Sequence, residues 1–233
     1  MPDIVIIGGG ITGAAAALAL AEAGAKVALL ERRGIAAMAS GWTLGGVRQS
    51  GRDPAELPLA RAAVEIWPTL NERLGADVEY RRRGNLRLAR DESEVEIIRR
   101  MVEAQRALGL DLTFLADSRA LRDIAPAISE KVRAASFCPT DGHANPIKAT
   151  RAFAEAARAR GAAIVEGVAA SAIRVERGRV TGVATSRGRS WPIWALSRTT
   201  SSGAGASAAS LQPSASRSKA REPEVTRNRP SAS

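Results

Sequence analysis

Three glycines set between an apolar strand and an alanine-rich helix constrain this chain more than any other feature. Asp3-Ile-Val-Ile-Ile7 is a short run of β-branched residues, the pattern of a strand buried on both faces. Gly8-Gly9-Gly10 ends that run, Ile11 to Ala23 reads as a helix of alanine and leucine, and Gly24 is placed as its C-cap. Lys26-Val-Ala-Leu-Leu30 then forms a second strand, closed by Glu31. Strand, glycine turn, helix and strand over roughly thirty residues specify a right-handed βαβ crossover. The fold class that follows is α/β.

The glycines stand as Gly8-x-Gly10-x-x-Gly13. Gly8 permits a tight turn, Gly10 leaves room for a pyrophosphate against the backbone, and Gly13 lets helix and strand pack closely. A diphosphate would sit at the helix N-terminus, where free N–H groups and the helix dipole favour an anion. Glu31, at the end of the second strand, is placed to accept hydrogen bonds from an adenosine ribose. A glycine turn with no ligand is the bland alternative, against which strand, helix, second strand and terminal acid coincide. The pattern does not separate NAD from FAD. Glu31 argues against NADP, although Arg32 and Arg33 adjoin it.

Further along, a glycine-rich connection runs Ser40-Gly-Trp-Thr-Leu-Gly-Gly-Val-Arg-Gln49. Pro54 opens a predicted helix towards Gly75, with Pro68 breaking or kinking it. Val78–Ala89 reads as a strand pair turning at Gly84-Asn85. Asp91 or Ser93 caps a helix ending at Gly109, and Asp117 or Ser118 a shorter one stopped by Pro126. Val132–Cys138 reads as a strand, and Asn145-Pro146 starts a helix running to Gly161. Short strands follow at Ala163–Val165, Ile173–Glu176 and Val180–Thr185, the last two joined at Arg177-Gly178-Arg179.

Beyond Gly188 the composition changes. Eleven of the forty-four residues from Ser190 to Ser233 are serine, against eight of the 189 before them. About half of the net charge of +10 also falls there, so the remainder forms no concentrated basic face. The prediction for 189–233 is a disordered Ser/Ala/Arg-rich tail. Its Arg217–Arg221 cluster lacks interleaved aromatic residues, which argues against nucleic acid as a partner. The apolar run at Ile11–Leu20 follows a strand and is cut by Glu22 and Lys26, so neither a secretory signal nor a transmembrane segment is expected. The only cysteine, Cys138, excludes an intrachain disulfide and fits a soluble, cytoplasmic protein.

Other candidates are few. His143 is the sole histidine and reads either as a turn residue or as a catalytic base. Cys138 reads as a small buried side chain rather than a nucleophile. Arg48 and Gln49 either face the bound cofactor or substrate, or belong to an exposed loop. One Cys and one His make no structural zinc site, and no metal is expected.

Taken together, Ile4–Glu31, Ser40–Gln49, Gly84-Asn85-Leu86, Asp141–Pro146 and Gly161–Gly188 resemble the D-amino-acid-oxidase-like family of FAD-dependent oxidoreductases. The nearer likeness is to its glycine-oxidase and sarcosine-oxidase β-subunit branch, with Ser40–Gln49 similar to the family's second FAD segment. The resemblance implies a Rossmann-like FAD-binding βαβ domain intertwined with a partial substrate domain of antiparallel strands. The FAD-binding parts would be about 1–77 and 140–188, and the substrate part about 78–139. It further implies that Gly8, Gly10, Ile11, Thr12, Gly13, Glu31 and Arg32 hold the ADP half of FAD. Ser40, Gly45 and Gly46 would approach the ribityl chain and flavin, and Ala170, where valine is usual, would pair backbone atoms with adenine.

The implied reaction oxidises a C–N bond of an amino acid or secondary amine: hydride passes to flavin N5 and the imine is hydrolysed. An oxidase or dehydrogenase subunit partner is also implied. The family's strand and Ala-Gly turn after Gly188, and the later carboxylate-gripping arginine, are replaced here by Ser190–Ser233. A frameshifted or truncated family member is therefore expected, with a native disordered tail as the alternative. Two other functional readings stand beside it: an NAD-linked dehydrogenase, and a non-catalytic nucleotide-binding or subunit-interaction module.

Overall fold

A computed structural model of the chain describes residues 1–188 and 190–192. Strand β1 (Ile4–Ile7) leads through Gly8–Gly10 into helix α1 (Ile11–Glu22), and β2 (Val27–Glu31) returns parallel to β1, with Ile4 opposite Val27. A four-residue helix α2 (Ala39–Trp42) and the two-residue strand β3 (Gly46–Val47) follow, then α3 (Leu57–Ile66) and α4 (Leu70–Leu74). Strand β4 (Asn85–Ala89), α5 (Glu92–Ala107), β5 (Thr113–Leu115), α6 (Ser118–Ile124) and β6 (Ala134–Cys138) make the middle of the chain. Strand β7 (Gly142–His143), α7 (Pro146–Ala159) and β8 (Ala163–Glu166) come next. Strands β9 (Ala170–Glu176), β10 (Arg179–Thr185) and β11 (Ser190–Pro192) complete it.

The parallel sheet has the order β1-β2-β8, so the predicted βαβ unit is present and gains a third strand from far along the chain. Ala14, Ala17 and Ala21 of α1 meet Ala149 and Ala157 of α7 in one core with Val27 and Leu29 of β2. Alanine lets two helices approach closely, which is how a chain with 3% aromatics fills its interior. The expectation that the first strand is buried on both faces is corrected. Val27–Leu30 of β2 are buried, whereas β1 is only half-buried and Ile7 is 51% exposed. The cause is position: β2 lies between two strands, while β1 pairs on one edge only among the described residues.

The second sheet is antiparallel, in the order β4-β6-β5, with Leu86 of β4 and Thr113 of β5 flanking Phe137. Helix α5 covers it with Val95, Ile98 and Val102, and Leu121 of α6 packs beside Leu115 and Val132. The hairpin expected over Val78–Ala89 does not form. Asn85–Ala89 pairs with β6 instead, because Arg81-Arg82-Arg83 offers no apolar face to a partner strand. Arg81 makes a single bridge to His143, and the Val78 N–H is held by Asn71 Oδ1 at 3.0 Å.

The long helix expected from Pro54 to Gly75 is broken at Pro68, which sits in a 3-10 turn at Trp67–Thr69 between α3 and α4. Capping follows the sequence closely: Asp91 accepts from the Glu94 N–H, Asp117 from those of Arg119 and Ala120, and Asn145 from that of Lys148. The expected start of a structureless tail at 189 is corrected for three residues, since Ser190–Pro192 pair antiparallel with Gly182–Ala184. Backbone pairing with an existing strand needs no apolar periodicity, the signal absent there. The rest of the predicted tail, 193–233, lies outside the described residues. No helix among the described residues is long and apolar enough to cross a membrane.

Two buried polar side chains fix the loop between β3 and α3. The Asp141 carboxylate has no solvent exposure and accepts the Gln49 N–H at 2.8 Å, the Ser50 N–H at 3.3 Å and the Ser50 hydroxyl. Gln105 of α5 accepts the Gly51 N–H at 2.9 Å and donates to the Arg52 carbonyl at 3.1 Å. Nearby, Tyr80 packs on Trp67 with ring centroids 5.6 Å apart. Its buried hydroxyl has no hydrogen-bond partner among the described residues, and burial raises its pKa.

Two outcomes are expected in urea unfolding. Tyr80→Phe removes a hydroxyl that was desolvated without compensation, and stability rises by about 1 kcal/mol. Asp141→Ala strands three buried donors and lowers stability by about 3 kcal/mol, with Asp141→Asn losing roughly half as much.

Candidate functional site

The candidate site starts where β1 turns into α1. Gly8 takes φ +111°, a conformation closed to other residues without strain, and its N–H donates to the Leu30 carbonyl at 2.9 Å. A Cβ on Gly13 would stand 2.0 Å from the Gly8 carbonyl oxygen, so only glycine allows the helix to begin so close to the strand. Both roles are those the sequence predicts. Gly10 differs in detail: the nearest atom to a Cβ there would be the Ser40 hydroxyl, at 2.9 Å.

Ser40, borne by α2, accepts the Ile11 N–H at 3.0 Å and so caps α1 from across the turn. Helix geometry leaves the first-turn N–H groups without intrahelical acceptors. With Ile11 bound to Ser40 and Ala14 to the Gly10 carbonyl, those of Thr12 and Gly13 remain at the mouth of the helix. This is an arrangement that favours an anion.

Glu31 is held by backbone donors. Its Oε2 accepts the Gly9 N–H at 2.7 Å and its Oε1 the Arg33 N–H at 2.8 Å. A carboxylate offers about four acceptor sites, so two remain for hydroxyl donors. Arg32 is exposed beside it. The segment leading to Ala170 lies alongside, through the Val168 N–H to Glu31 carbonyl bond at 2.9 Å and the Gly167 N–H to Arg33 carbonyl bond at 3.0 Å. One functional candidate was missed: Glu166 of β8 stands opposite Glu31 in register and accepts the Ile35 N–H at 2.8 Å. Its signal was the same as that of Glu31, an acid closing an apolar strand.

From the α1 N-terminus a small cavity of about 140 Å³ runs past Ile11 and Ser40 to Gly45, Gly46 and Val47, with Trp67 and Thr150 also in its wall. The structure thus brings Ile11, Ser40, Gly45 and Gly46 along one path, with Gly8, Gly10, Thr12 and Gly13 in the turn and first helical residues at its head. Glu31 ends β2 and Arg32 follows it, whereas Ala170 opens β9 in a separate sheet, two residues past the Val168 N–H that donates to the Glu31 carbonyl. A helix mouth with two first-turn N–H groups, a carboxylate with spare acceptors and glycines lining the path fit a dinucleotide cofactor.

The remaining candidates separate. Gln49 is buried and donates to Thr140 Oγ1 at 2.7 Å, so it is not part of an exposed loop. Arg48, its neighbour, is exposed on an open cleft that Gly46 also lines. His143 lies in strand β7 rather than a turn; its side chain is exposed and lines a different groove, with Asp77, Glu79 and Arg81. Cys138 is fully buried, and burial pushes its thiol pKa up, as befits a packing residue. No group of three or more His, Cys, Asp or Glu side chains suited to a metal occurs among the described residues.

The sequence pattern of the family described as FAD dependent oxidoreductase (DAO) matches residues 3–219, further than Gly188, where the motif-by-motif resemblance ends. The chain is 30% identical over 186 residues to 4-methylaminobutanoate oxidase (formaldehyde-forming) of Paenarthrobacter nicotinovorans, covering 79% of this chain and 22% of that protein. It is 30% identical over 202 residues to sarcosine oxidase subunit beta of an Arthrobacter species, covering 80% of this chain and 48% of that subunit. Glycine oxidase from Bacillus cereus superposes with a TM-score of 0.75 at 36% identity, over 83% of this chain and 55% of that one. The chain therefore spans about a fifth to a half of the length of these curated relatives. With the family pattern matched over residues 3–219 and the fold superposing on a glycine oxidase, the chain belongs to the DAO family of FAD-dependent oxidoreductases.

Proposed function

We propose that this chain binds FAD and contributes to oxidation of a C–N bond in an amino acid or secondary amine. The observation that carries the reading is the N-terminus of α1, with the Thr12 and Gly13 N–H groups at its mouth and Glu31 at the adjoining strand end. Gly8, Gly10, Ile11, Thr12 and Gly13 would hold the diphosphate, and Glu31 and Arg32 the adenosine ribose. Ser40, Gly45 and Gly46 would line the way to the flavin, and the backbone at Ala170 would meet the adenine. When bound, FAD supplies the hydride acceptor, and the protein contributes orientation and electrostatics. Of the chain's own groups, the α1 N–H groups neutralise the diphosphate and Glu31 orients the ribose through its free lone pairs.

The division of labour follows the sheets. The parallel β1-β2-β8 sheet belongs to the FAD-binding parts, about 1–77 and 140–188, and the antiparallel β4-β6-β5 sheet to the substrate part, about 78–139. A subunit partner belongs to this reading too, on the likeness to a sarcosine oxidase subunit. So does a cytoplasmic location, on the single buried thiol.

The purified protein titrated with FAD is expected to show the perturbed flavin absorbance of a bound cofactor and no comparable response to NAD. Glu31→Gln weakens FAD binding about tenfold, the worth of one hydrogen bond to a charged acceptor. Gly13→Ala abolishes it, because the added methyl displaces the turn backbone. A protein that leaves the flavin spectrum unchanged at saturating FAD refutes the reading.

A further inference from the structure

Arg48 and Arg52, from the loop after β3, and Arg87, from β4, line one open cleft of about 790 Å³ together with Thr43, Gly46 and Gly51. The Nη1 atoms of Arg87 and Arg48 lie 2.9 and 3.6 Å from the point where a Cβ on Gly51 would stand. Two guanidinium groups therefore converge over one glycine, whose φ of +67° also disfavours a side chain. Like charges so placed repel unless an anion lies between them.

The protein itself supplies little compensation. Among the described residues neither Arg48 nor Arg87 makes an ion pair. Arg48 reaches only the Ser50 carbonyl, at 3.4 Å, and Arg87 only the Met101 sulfur, at 3.6 Å. Arg52 meets Glu56 at 3.6 Å in a solvent-exposed pair, the kind that contributes little. The backbone beneath them, by contrast, is held firmly. Asp141 takes the N–H groups of Gln49 and Ser50, and Gln105 clasps Gly51 and Arg52 through both ends of its amide. Three guanidinium groups line the cleft, Glu56 being the one carboxylate paired with any of them among the described residues, and together they make a cationic receptor.

We infer that this cleft receives the two carboxylates of a dicarboxylate amine, an amino acid or secondary amine that bears a second carboxylate. The inference rests on the reading that places the flavin beside Gly46, which lines both this cleft and the cavity leading to α1. The excess of two positive charges matches two carboxylates better than one. The planar guanidinium fork suits each of them, offering paired N–H donors to the two carboxylate oxygens. Arg48 and Arg87 are the specificity-determining residues, and Gln105 positions the loop that carries Arg48.

The test is calorimetric titration of the full chain with iminodiacetate and with sarcosine at the same ionic strength, with FAD binding followed separately by flavin absorbance. Iminodiacetate is expected to bind at least tenfold more tightly than sarcosine. Arg48→Gln and Arg87→Gln are each expected to weaken it about tenfold while far-UV dichroism stays unchanged. Arg87→Lys, which keeps the charge but not the fork, recovers only part of the loss. Equal affinity for the two ligands, undiminished binding in both glutamine variants, or equal displacement by chloride overturns the inference. Loss of discrimination in a protein that still binds FAD defeats the cleft alone, whereas failure to bind FAD defeats the functional reading.

Discussion

The carboxylate of Asp141 sits without solvent exposure just past β6 and takes its hydrogen bonds from Gln49 and Ser50, some ninety residues earlier in the chain. A buried carboxylate left unpaired is costly, so this clasp is either made in full or the local fold is lost. Making it draws the glycine-rich segment Gly45–Ser50 against the β6–β7 turn and pairs Gly46–Val47 with Gly142–His143. The path from the α1 N-terminus to Gly46 then exists as a continuous wall. The same clasp also sets the height of the loop that carries Arg48 and Arg52.

At the other end of the site a similar economy operates with backbone donors. Glu31 and Glu166 end neighbouring parallel strands, and both accept backbone N–H groups: Glu31 those of Gly9, in the turn after β1, and Arg33, and Glu166 that of Ile35, in the turn after β2. Two carboxylates side by side would repel; each is stabilised by dipoles that cost no counter-charge. The turn between β2 and α2 is thereby fastened to both strands, which is what brings Ser40 over Gly10 and onto the Ile11 N–H.

Much of the local structure was legible because local chemistry decides it. The breaks and caps at Pro68, Asp91, Asp117 and Asn145 need only the residues around them. Long-range partners were not legible in the same way. The strand at Asn85–Ala89 was read correctly as a strand but given to Val78–Arg83, when β6, about fifty residues on, offered the apolar face it needed. Gln49 read either as facing the cofactor or substrate or as part of an exposed loop, and its burial against Thr140 goes with the Asp141 clasp, which no local pattern announces.

By itself the sequence determined the βαβ unit, the glycine turn with its demands at Gly8 and Gly13, the acid at the strand end, and hence the class of ligand. Those are matters of backbone conformation and hydrophobic period within some thirty residues, where each choice is enforced by its neighbours. Only the tertiary structure decided that Ser40 caps α1, that Glu166 joins Glu31, and that Arg48 and Arg87 meet over Gly51. Each of these is a meeting of segments far apart in the chain. Such meetings are selected by burial and by the satisfaction of polar groups across the whole fold, and spacing along the sequence carries no record of them.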